Sequence, residues 1–188
     1  MTSPLDKPDF EQRLIESFSK HAESYDRHAQ LQKSMAERLS TFLPSPLPDP
    51  ILELGCGTGL FTRHLLARKV SNLILNDLAP AMVDYLKKNL NLPSACSFIT
   101  GNAESITFPD TQAIVANAVF QWLRIPEATL KHLASFLEPQ GYLLFSTFGP
   151  GTLEELRQIG SFEGPTALMS QEQWTQLLKE AGFKTLRV

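Results

Sequence analysis

Short apolar runs alternate with amphipathic segments along most of the chain from Ile51 onward. Apolar runs of this length are typical of buried parallel strands, whereas apolar residues three and four positions apart are typical of helices that cover a sheet. The alternation predicts right-handed βαβ units, and so an α/β protein with a mostly parallel sheet and helices on both faces. The predicted strands are 51–54, 72–76, 97–100, 113–117 and 142–147, and the predicted helices are 60–68, 79–90, 125–137 and 171–181.

The N-terminal part has a different pattern. Residues 1–9 contain two prolines and are predicted to form a loose tail. Apolar residues at helical spacing predict one helix at 10–20 and a second at about 27–43. The polar stretch between them centres on Tyr25, which in the simplest interpretation covers apolar surface at a helix–helix connection.

Both ends of the chain suggest boundaries. Four alternate prolines between residues 44 and 50 forbid continuation of a helix, so we expect a tail and helical cap over 1–46 and the main domain over 47–188. At the other end, Ser170 and Gly182 are predicted to cap the last helix, and 183–188 is predicted to begin a further strand. We therefore expect either that the sheet ends there or that the sequence is a piece of a longer protein.

Three glycines follow the first predicted strand directly, at positions 55, 57 and 59. Glycine lets the backbone turn sharply and approach a ligand without a Cβ in the way, and the amides at the start of the next helix then face that ligand. A dinucleotide-binding fingerprint would place its last glycine where Leu60 stands, so a pyrophosphate ligand is disfavoured.

Polar residues stand in or just after neighbouring strands, where an open parallel sheet binds its ligands. Asp77 can accept hydrogen bonds from both hydroxyls of a ribose, or it can cap the following helix. Asn102 can bond a purine edge, or it can be a helix cap. Glu53 interrupts an apolar strand, and a buried carboxylate needs a partner such as an amine-bearing ligand.

Composition narrows the function classes. The net charge of −3 and the absence of a long run of one sign predict no nucleic-acid partner. Cys56 and Cys96 have neither zinc-site nor disulfide spacing, and the four histidines have no ligand-like spacing, so we expect no metal and a reduced, cytoplasmic protein. No apolar run is long enough to span a bilayer, so we expect no membrane association.

The motif series resembles that of class I S-adenosylmethionine-dependent methyltransferases: Glu53-Leu-Gly-Cys-Gly-Thr-Gly59, Asp77, Gly101-Asn-Ala-Glu104 and Leu137-Glu-Pro-Gln-Gly-Tyr-Leu143. The resemblance implies a Rossmann-like, seven-stranded sheet whose glycine loop passes under the methionine and ribose, with the acid on the ribose diol and the next turn on adenine. Two departures are Asn102, where many relatives carry Asp, and an apparently missing seventh strand. The implied cofactor-binding residues are Glu53, Gly55, Cys56, Gly57, Gly59, Asp77, Leu78, Met82, Asn102, Ala103, Glu104 and Asn117.

Three further stretches, 18–32, 116–122 and 145–156, resemble the malonyl carrier-protein O-methyltransferases of biotin synthesis. This resemblance implies methylation of the free carboxylate of malonyl-acyl carrier protein or malonyl-CoA, and we expect a monomer. Tyr25 and Trp122 are then candidate walls of the methyl-transfer pocket, with ordinary packing as an equal alternative for Trp122, and Gln121 is a candidate polar orienter. The basic residues that could meet the malonyl carboxylate or the acidic carrier protein, or simply lie on solvated faces, are Arg124, Lys131 and Arg157.

Two other functions stay open at this point. Ubiquinone and menaquinone methyltransferases share the core motifs, so a small-molecule or quinone-precursor methyltransferase is one alternative. The other is a cofactor-binding fragment without activity, which the early end at Val188 suggests.

Overall fold

The computed structural model of the protein describes residues 10–152, 165 and 167–188. Five parallel strands form one sheet in the order β3-β2-β1-β4-β5, with helices on both faces, which confirms the predicted α/β fold. The strands are β1 (Ile51–Leu54), β2 (Leu73–Asp77), β3 (Ser97–Thr100), β4 (Thr111–Asn117) and β5 (Leu137–Ser146). The α-helices are α1 (Phe10–His21), α2 (Tyr25–His28), α3 (Gln30–Ser40), α4 (Thr62–Ala67), α5 (Pro80–Asn89), α6 (Pro126–Ala134) and α7 (Gln171–Glu180).

Strand β1 is the centre of the sheet and pairs with both β2 and β4. All four of its residues are buried, as its unbroken position between two neighbours requires. The chain continues from β1 to β2 and β3 on one side and then returns to β4 and β5 on the other. The strand order therefore reverses beside β1, and ligands of open α/β sheets bind at this kind of crevice.

The two faces of the sheet carry separate apolar cores. Ile51 packs on one face with residues of α3, α4 and α5, whereas Leu52 and Leu54 pack on the other with α6 and α7. This division follows from the alternation of side chains along a strand. The second core includes Phe120 stacked on Phe145, with ring centroids 4.2 Å apart. Both faces are thus closed, which leaves the ends of the strands for binding.

The predicted helix at 27–43 is wrong in one respect, because it is two helices. The chain leaves helical geometry at Ala29, whose ψ is 39°, and its N–H bonds back to the carbonyl of Tyr25. Tyr25 begins α2 and so does not lie in a simple connection. The division of the chain at residue 46 stays a prediction, and the predicted tail, 1–9, lies outside the described residues.

Strand β5 begins earlier than predicted. Leu137 was expected to end a helix, but it pairs with Thr111, and the ladder resumes at Tyr142 opposite Ala113 after a shift in register. The stretch between contains Pro139 and Gln140, whose φ is 66°, so its sequence has the character of a turn while its two ends belong to the sheet.

The predicted strand at 183–188 is wrong. These residues have no regular secondary structure and pair with none of the five strands of the described sheet. A strand exists only where a neighbour accepts and donates its backbone hydrogen bonds. The preceding helix is as predicted: Ser170 and Gln173 form a capping box at the start of α7, and Gly182 follows its end with φ 89°.

Candidate functional site

A cavity of about 1070 Å³, including its open mouth, lies beyond the carboxyl ends of the strands at the switch in strand order. Its walls come from the turns after β1, β2, β3 and β4, and α1 lies across them. All of the predicted site residues line this cavity except Gly59 and Gln121. Most of the candidates are thus brought together at one cavity, at the edge of the sheet where ligands of open α/β sheets bind, and their roles there stay predictions.

The three glycines of the loop have different tasks. All have positive φ, but a Cβ on Gly55 would lie 2.5 Å from Val119 and one on Gly59 would lie 2.5 Å from Leu90. At Gly57 the nearest atom to a Cβ would be 3.9 Å away, so the space beside it is open to the cavity. Gly55 and Gly59 thus let the loop pack, whereas Gly57 leaves room for a ligand.

Asp77 fixes the loop and faces the cavity. Its Oδ2 accepts a hydrogen bond from the Gly57 N–H at 2.7 Å, and its Oδ1 accepts one from the Ala79 N–H at 2.8 Å. Burial raises the pKa of Asp77, and the hydrogen bonds from Ala79, Gly57 and Leu78 offset part of that rise. The alternative role of Asp77, as a cap at the start of α5, is therefore present, and the carboxylate keeps acceptor capacity for a ligand.

Glu53 is buried in the cavity wall without a counter-charge. Its Oε2 has no hydrogen-bond partner among the described residues, and the side chain is only 1% exposed. The pKa of Glu53 is raised to about 8, chiefly by burial; contacts with Thr62 oppose the rise and the charge of nearby Asp77 adds to it. Among the described residues, no positive group contributes to this shift in pKa.

The turn after β3 contacts two other parts of the chain. Asn102 donates from Nδ2 to Glu11 of α1 at 2.8 Å and accepts the Glu104 N–H at 2.9 Å. The Glu104 carboxylate accepts the backbone N–H groups of Arg124 and Ile125, both at 3.0 Å. Both side chains line the cavity while holding its walls together.

Two other candidates have side chains occupied by internal contacts. Asn117 donates to the Gln32 carbonyl at 3.1 Å and accepts from Ser146 at 2.8 Å, so both polar atoms of its side chain are engaged within the protein. Gln121 is 1% exposed and donates to the Ala118 carbonyl at 2.6 Å, behind the cavity wall. A direct role of Gln121 as polar orienter stays a prediction that this placement does not support.

Trp122 reaches the cavity because of the strained turn that precedes it. Ala118 has φ 56°, rare for a residue with a Cβ, and its N–H is held by the Ser146 carbonyl at 3.0 Å. A short 3₁₀ helix, Phe120–Trp122, follows and places the Trp122 ring edge-on to Phe18, with centroids 5.8 Å apart.

Helix α1 is the wall that sequence reasoning missed. Its apolar residues Phe10, Leu14 and Phe18 line the cavity together with Glu11. None of the residues of α1 is fully buried. An apolar stripe on so polar a helix is consistent either with packing or with a ligand-covering role, so no sequence signal distinguished the two.

Tyr25 completes this wall at the start of α2. Its ring is edge-on to Phe18 at 6.3 Å, and burial raises the pKa of its phenol, with Asp77 and Asp26 adding to the rise. Tyr25 is therefore a neutral wall and hydrogen-bonding group at ordinary pH, which does not favour it as a base.

Among the basic candidates, Arg124 lines the cavity, whereas Lys131 is exposed and pairs with Glu127 at 2.7 Å. Residues 153–164 and 166, Arg157 among them, lie outside the described residues. In the described ranges no cluster of His, Cys, Asp and Glu could hold a metal ion. Every helix described there is too short or too polar to reach across a lipid bilayer.

Asp26 fastens the cap to the glycine loop, so its removal is expected to loosen the cap. Its Oδ1 accepts the Thr58 hydroxyl, and its Oδ2 lies 3.5 Å from Arg63. Because the ion pair of Asp26 with Arg63 is partly exposed, Asp26→Ala should lower the free energy of local unfolding of the cap by only about 1 kcal/mol. Hydrogen exchange of 10–28 should become several-fold faster. Glu23→Ala, an exposed change in the same segment, is the control, and equal exchange in both variants would contradict this role.

Comparison with known proteins gives the chain its family. A family model described as a methyltransferase domain matches residues 25–188. The malonyl-[acyl-carrier protein] O-methyltransferase of Bacteroides thetaiotaomicron is 36% identical over 151 residues, covering 78% of this chain and 58% of that protein. Its namesake from Halalkalibacterium halodurans is 36% identical over 189 residues, with 89% and 70% covered. One from Ilyobacter polytropus is 38% identical over 164 residues, with 85% and 61% covered, so this chain spans about three fifths of the first relatives.

Solved structures share the fold at low sequence identity. A complex of DhpI with SAM and HEP has a TM-score of 0.72 and 16% identity, covering 97% of this chain and 91% of that one. A Thermotoga maritima SAM-dependent methyltransferase, described as a possible histamine N-methyltransferase, has a TM-score of 0.71 and 20% identity, covering 91% and 81%. With a family model that matches well over half of its length, the chain belongs to the methyltransferase-domain family, which confirms its resemblance to the class I S-adenosylmethionine-dependent methyltransferases.

Proposed function

We propose that this protein uses S-adenosylmethionine to methylate the free carboxylate of a malonyl thioester, giving the methyl ester used in biotin biosynthesis. The preferred acceptor is malonyl-acyl carrier protein, and malonyl-CoA is the alternative. Five relatives that are 35–38% identical to this chain are named malonyl-[acyl-carrier protein] O-methyltransferases, and this shared name is the observation that carries the choice of acceptor.

The cavity fits the cofactor in three respects. Glu53 offers a buried carboxylate oxygen without a partner, which suits the ammonium group of the methionine part. Gly57 leaves open space in the loop, and Asp77 keeps acceptor capacity for the ribose hydroxyls. These three residues would hold the cofactor, which supplies an electrophilic methyl group on sulfur.

The chain itself has little acid–base work to do in this reaction. A malonyl carboxylate is ionised at neutral pH and needs no general base, so the walls mainly orient the acceptor and exclude water. Phe18, Tyr25 and Trp122 form an aromatic wall that suits this task. Arg124 is the basic candidate that lines the cavity, and we propose that it meets the malonyl carboxylate.

The decisive assay offers labelled S-adenosylmethionine with malonyl-acyl carrier protein, malonyl-CoA, acetyl-carrier protein, free small acids and quinone-precursor phenols. We expect a methyl ester on the malonyl thioesters only, because acetyl-carrier protein has no free carboxylate. Transfer to phenols or small acids instead would contradict the proposed acceptor and favour the small-molecule methyltransferase.

Calorimetry with S-adenosylhomocysteine accompanies the assay, since tight binding without transfer to any acceptor would favour a cofactor-binding chain without activity.

We further propose that the protein acts as a monomer in the cytoplasm. Its two cysteines are both unpaired, which is consistent with a reducing compartment.

A further inference from the structure

The carboxylate of Glu104 joins two walls of the cavity that are distant in sequence. Its Oε1 lies 3.0 Å from the backbone nitrogens of Arg124 and Ile125, which donate to it, and 2.9 Å from the hydroxyl of Thr129. Glu104 belongs to the turn after β3, beside Asn102. Its partners belong to the segment between β4 and α6 and to α6 itself.

Helix α6 has no cap of its own. Ile125 occupies the N-cap position and makes no side-chain cap hydrogen bond, and Pro126 follows with no N–H to donate. The carboxylate of another segment accepts the N–H groups of residues 124 and 125, and its charge suits the positive end of the helix dipole. Removing it would leave the start of α6, and the segment before it, without this anchor.

The anchored segment is the acceptor side of the proposed site. Trp122, Leu123 and Arg124 line the cavity immediately before α6, whereas Asn102 and Ala103 line it on the side proposed for adenine. We infer that Glu104 is a positioning residue, whose carboxylate holds the Trp122–Arg124 wall at the correct distance from the turn after β3. This inference rests on the proposed function for the assignment of the two sides, and it replaces the earlier expectation that Glu104 contacts the cofactor.

The test compares Glu104→Ala with Glu104→Gln, which keeps an acceptor oxygen at the same place. For Glu104→Ala we expect the KM for malonyl-carrier protein to rise about tenfold or more, while the Kd for S-adenosylhomocysteine changes less than about threefold. For Glu104→Gln we expect a KM for malonyl-carrier protein close to that of the parent. Glu127→Ala is the control, because it removes an exposed carboxylate from the first turn of α6 without touching residues 124 or 125.

A second readout needs no acceptor. In a Trp174→Phe background, in which Trp122 is the remaining tryptophan, acrylamide should quench the fluorescence of Glu104→Ala more strongly than that of the parent. Thr129→Val removes one of the three hydrogen bonds to Glu104 at a residue that does not line the cavity. Its quenching and its KM should change in the same direction as those of Glu104→Ala, but by less. If Glu104→Ala does not fold, the Thr129→Val variant still tests the inference.

The outcomes separate this inference from the proposed function. Loss of S-adenosylhomocysteine affinity with unchanged Trp122 quenching would overturn the inference and make Glu104 a cofactor ligand. Unchanged quenching and KM in the Ala and Val variants would also overturn it. Increased quenching in Glu104→Ala, rescued in Glu104→Gln, would support it even if the parent methylates no malonyl thioester, in which case only the proposed acceptor fails.

Discussion

Replacing Asp77 with alanine is expected to weaken S-adenosylhomocysteine binding about 100-fold or more. Two hydrogen bonds between ribose hydroxyls and a carboxylate are each worth about 1.5–3 kcal/mol, and their loss adds to the loss of the bond that holds Gly57. Isothermal titration calorimetry at constant ionic strength measures the change. Because Asp77 also accepts the N–H of Ala79, the variant should in addition have a lower midpoint of urea unfolding.

Two further variants distinguish ligand contact from loss of structure. Asp77→Asn keeps one acceptor oxygen and about the same shape, so it should fold normally and still lose a large part of the affinity. Asp84→Ala removes an exposed carboxylate from α5 outside the cavity and should bind as the parent does. If Asp77→Ala folded and bound with unchanged affinity, the role of Asp77 at the ribose would be excluded.

The three central strands of the sheet, β1, β2 and β4, could be predicted because most of their residues are buried. The bounds of β1 are as predicted and those of β2 and β4 differ by one or two residues, since an apolar run ends where burial ends. The bounds of β3 are also as predicted, although this edge strand has no buried residue. Strand β5 differed most, because Pro139 and Gln140 have the local chemistry of a turn although the flanking residues pair with β4. The false strand at 183–188 has the opposite cause. Its residues suit a strand, but a strand depends on a neighbour that local sequence does not specify.

The candidate site could be predicted as far as it depends on strand ends. Asp77 and Asn102 follow from position and side-chain chemistry alone, and both lie in the cavity. The contribution of α1 could not be predicted, because the contact of Glu11 with Asn102 joins residues far apart in the chain. The same limitation explains Glu104, whose partners just before and within α6 become its neighbours only when β3 and β4 take their places on either side of the sheet centre.

Glu53 is expected to make the stability of the unliganded protein fall as pH rises from about 4 to about 8. An unfolded glutamate has a pKa of about 4.3, whereas burial raises the pKa of Glu53 in the folded protein to about 8. Between these values the folded state holds a proton that the unfolded state has lost. The contribution of Glu53 to the free energy of unfolding is therefore fully present below the pKa of the unfolded state. It decreases by up to ~1.4 kcal/mol per pH unit as the pH rises from that pKa to the pKa of the folded state.

Glu53→Gln removes this titration while keeping the shape of the side chain. Subtracting the unfolding free energy of the parent from that of the variant cancels the titration of groups common to both, Asp77 among them. The difference should increase from about pH 5 to about pH 8 in urea titrations. Parallel curves for the two proteins would mean that Glu53 titrates normally and is not the uncompensated carboxylate that the cavity contains.

Cofactor binding should reverse the effect, because an ammonium group beside Glu53 favours its ionised form and lowers its pKa. Below about pH 8 the binding of S-adenosylhomocysteine should therefore release a proton, which calorimetry detects as a binding enthalpy that changes with the ionisation enthalpy of the buffer. In Glu53→Gln that buffer dependence should disappear and the affinity should fall. If the buffer dependence persisted in the variant, the proton would come from another group, and the ammonium would have to bind elsewhere in the cavity.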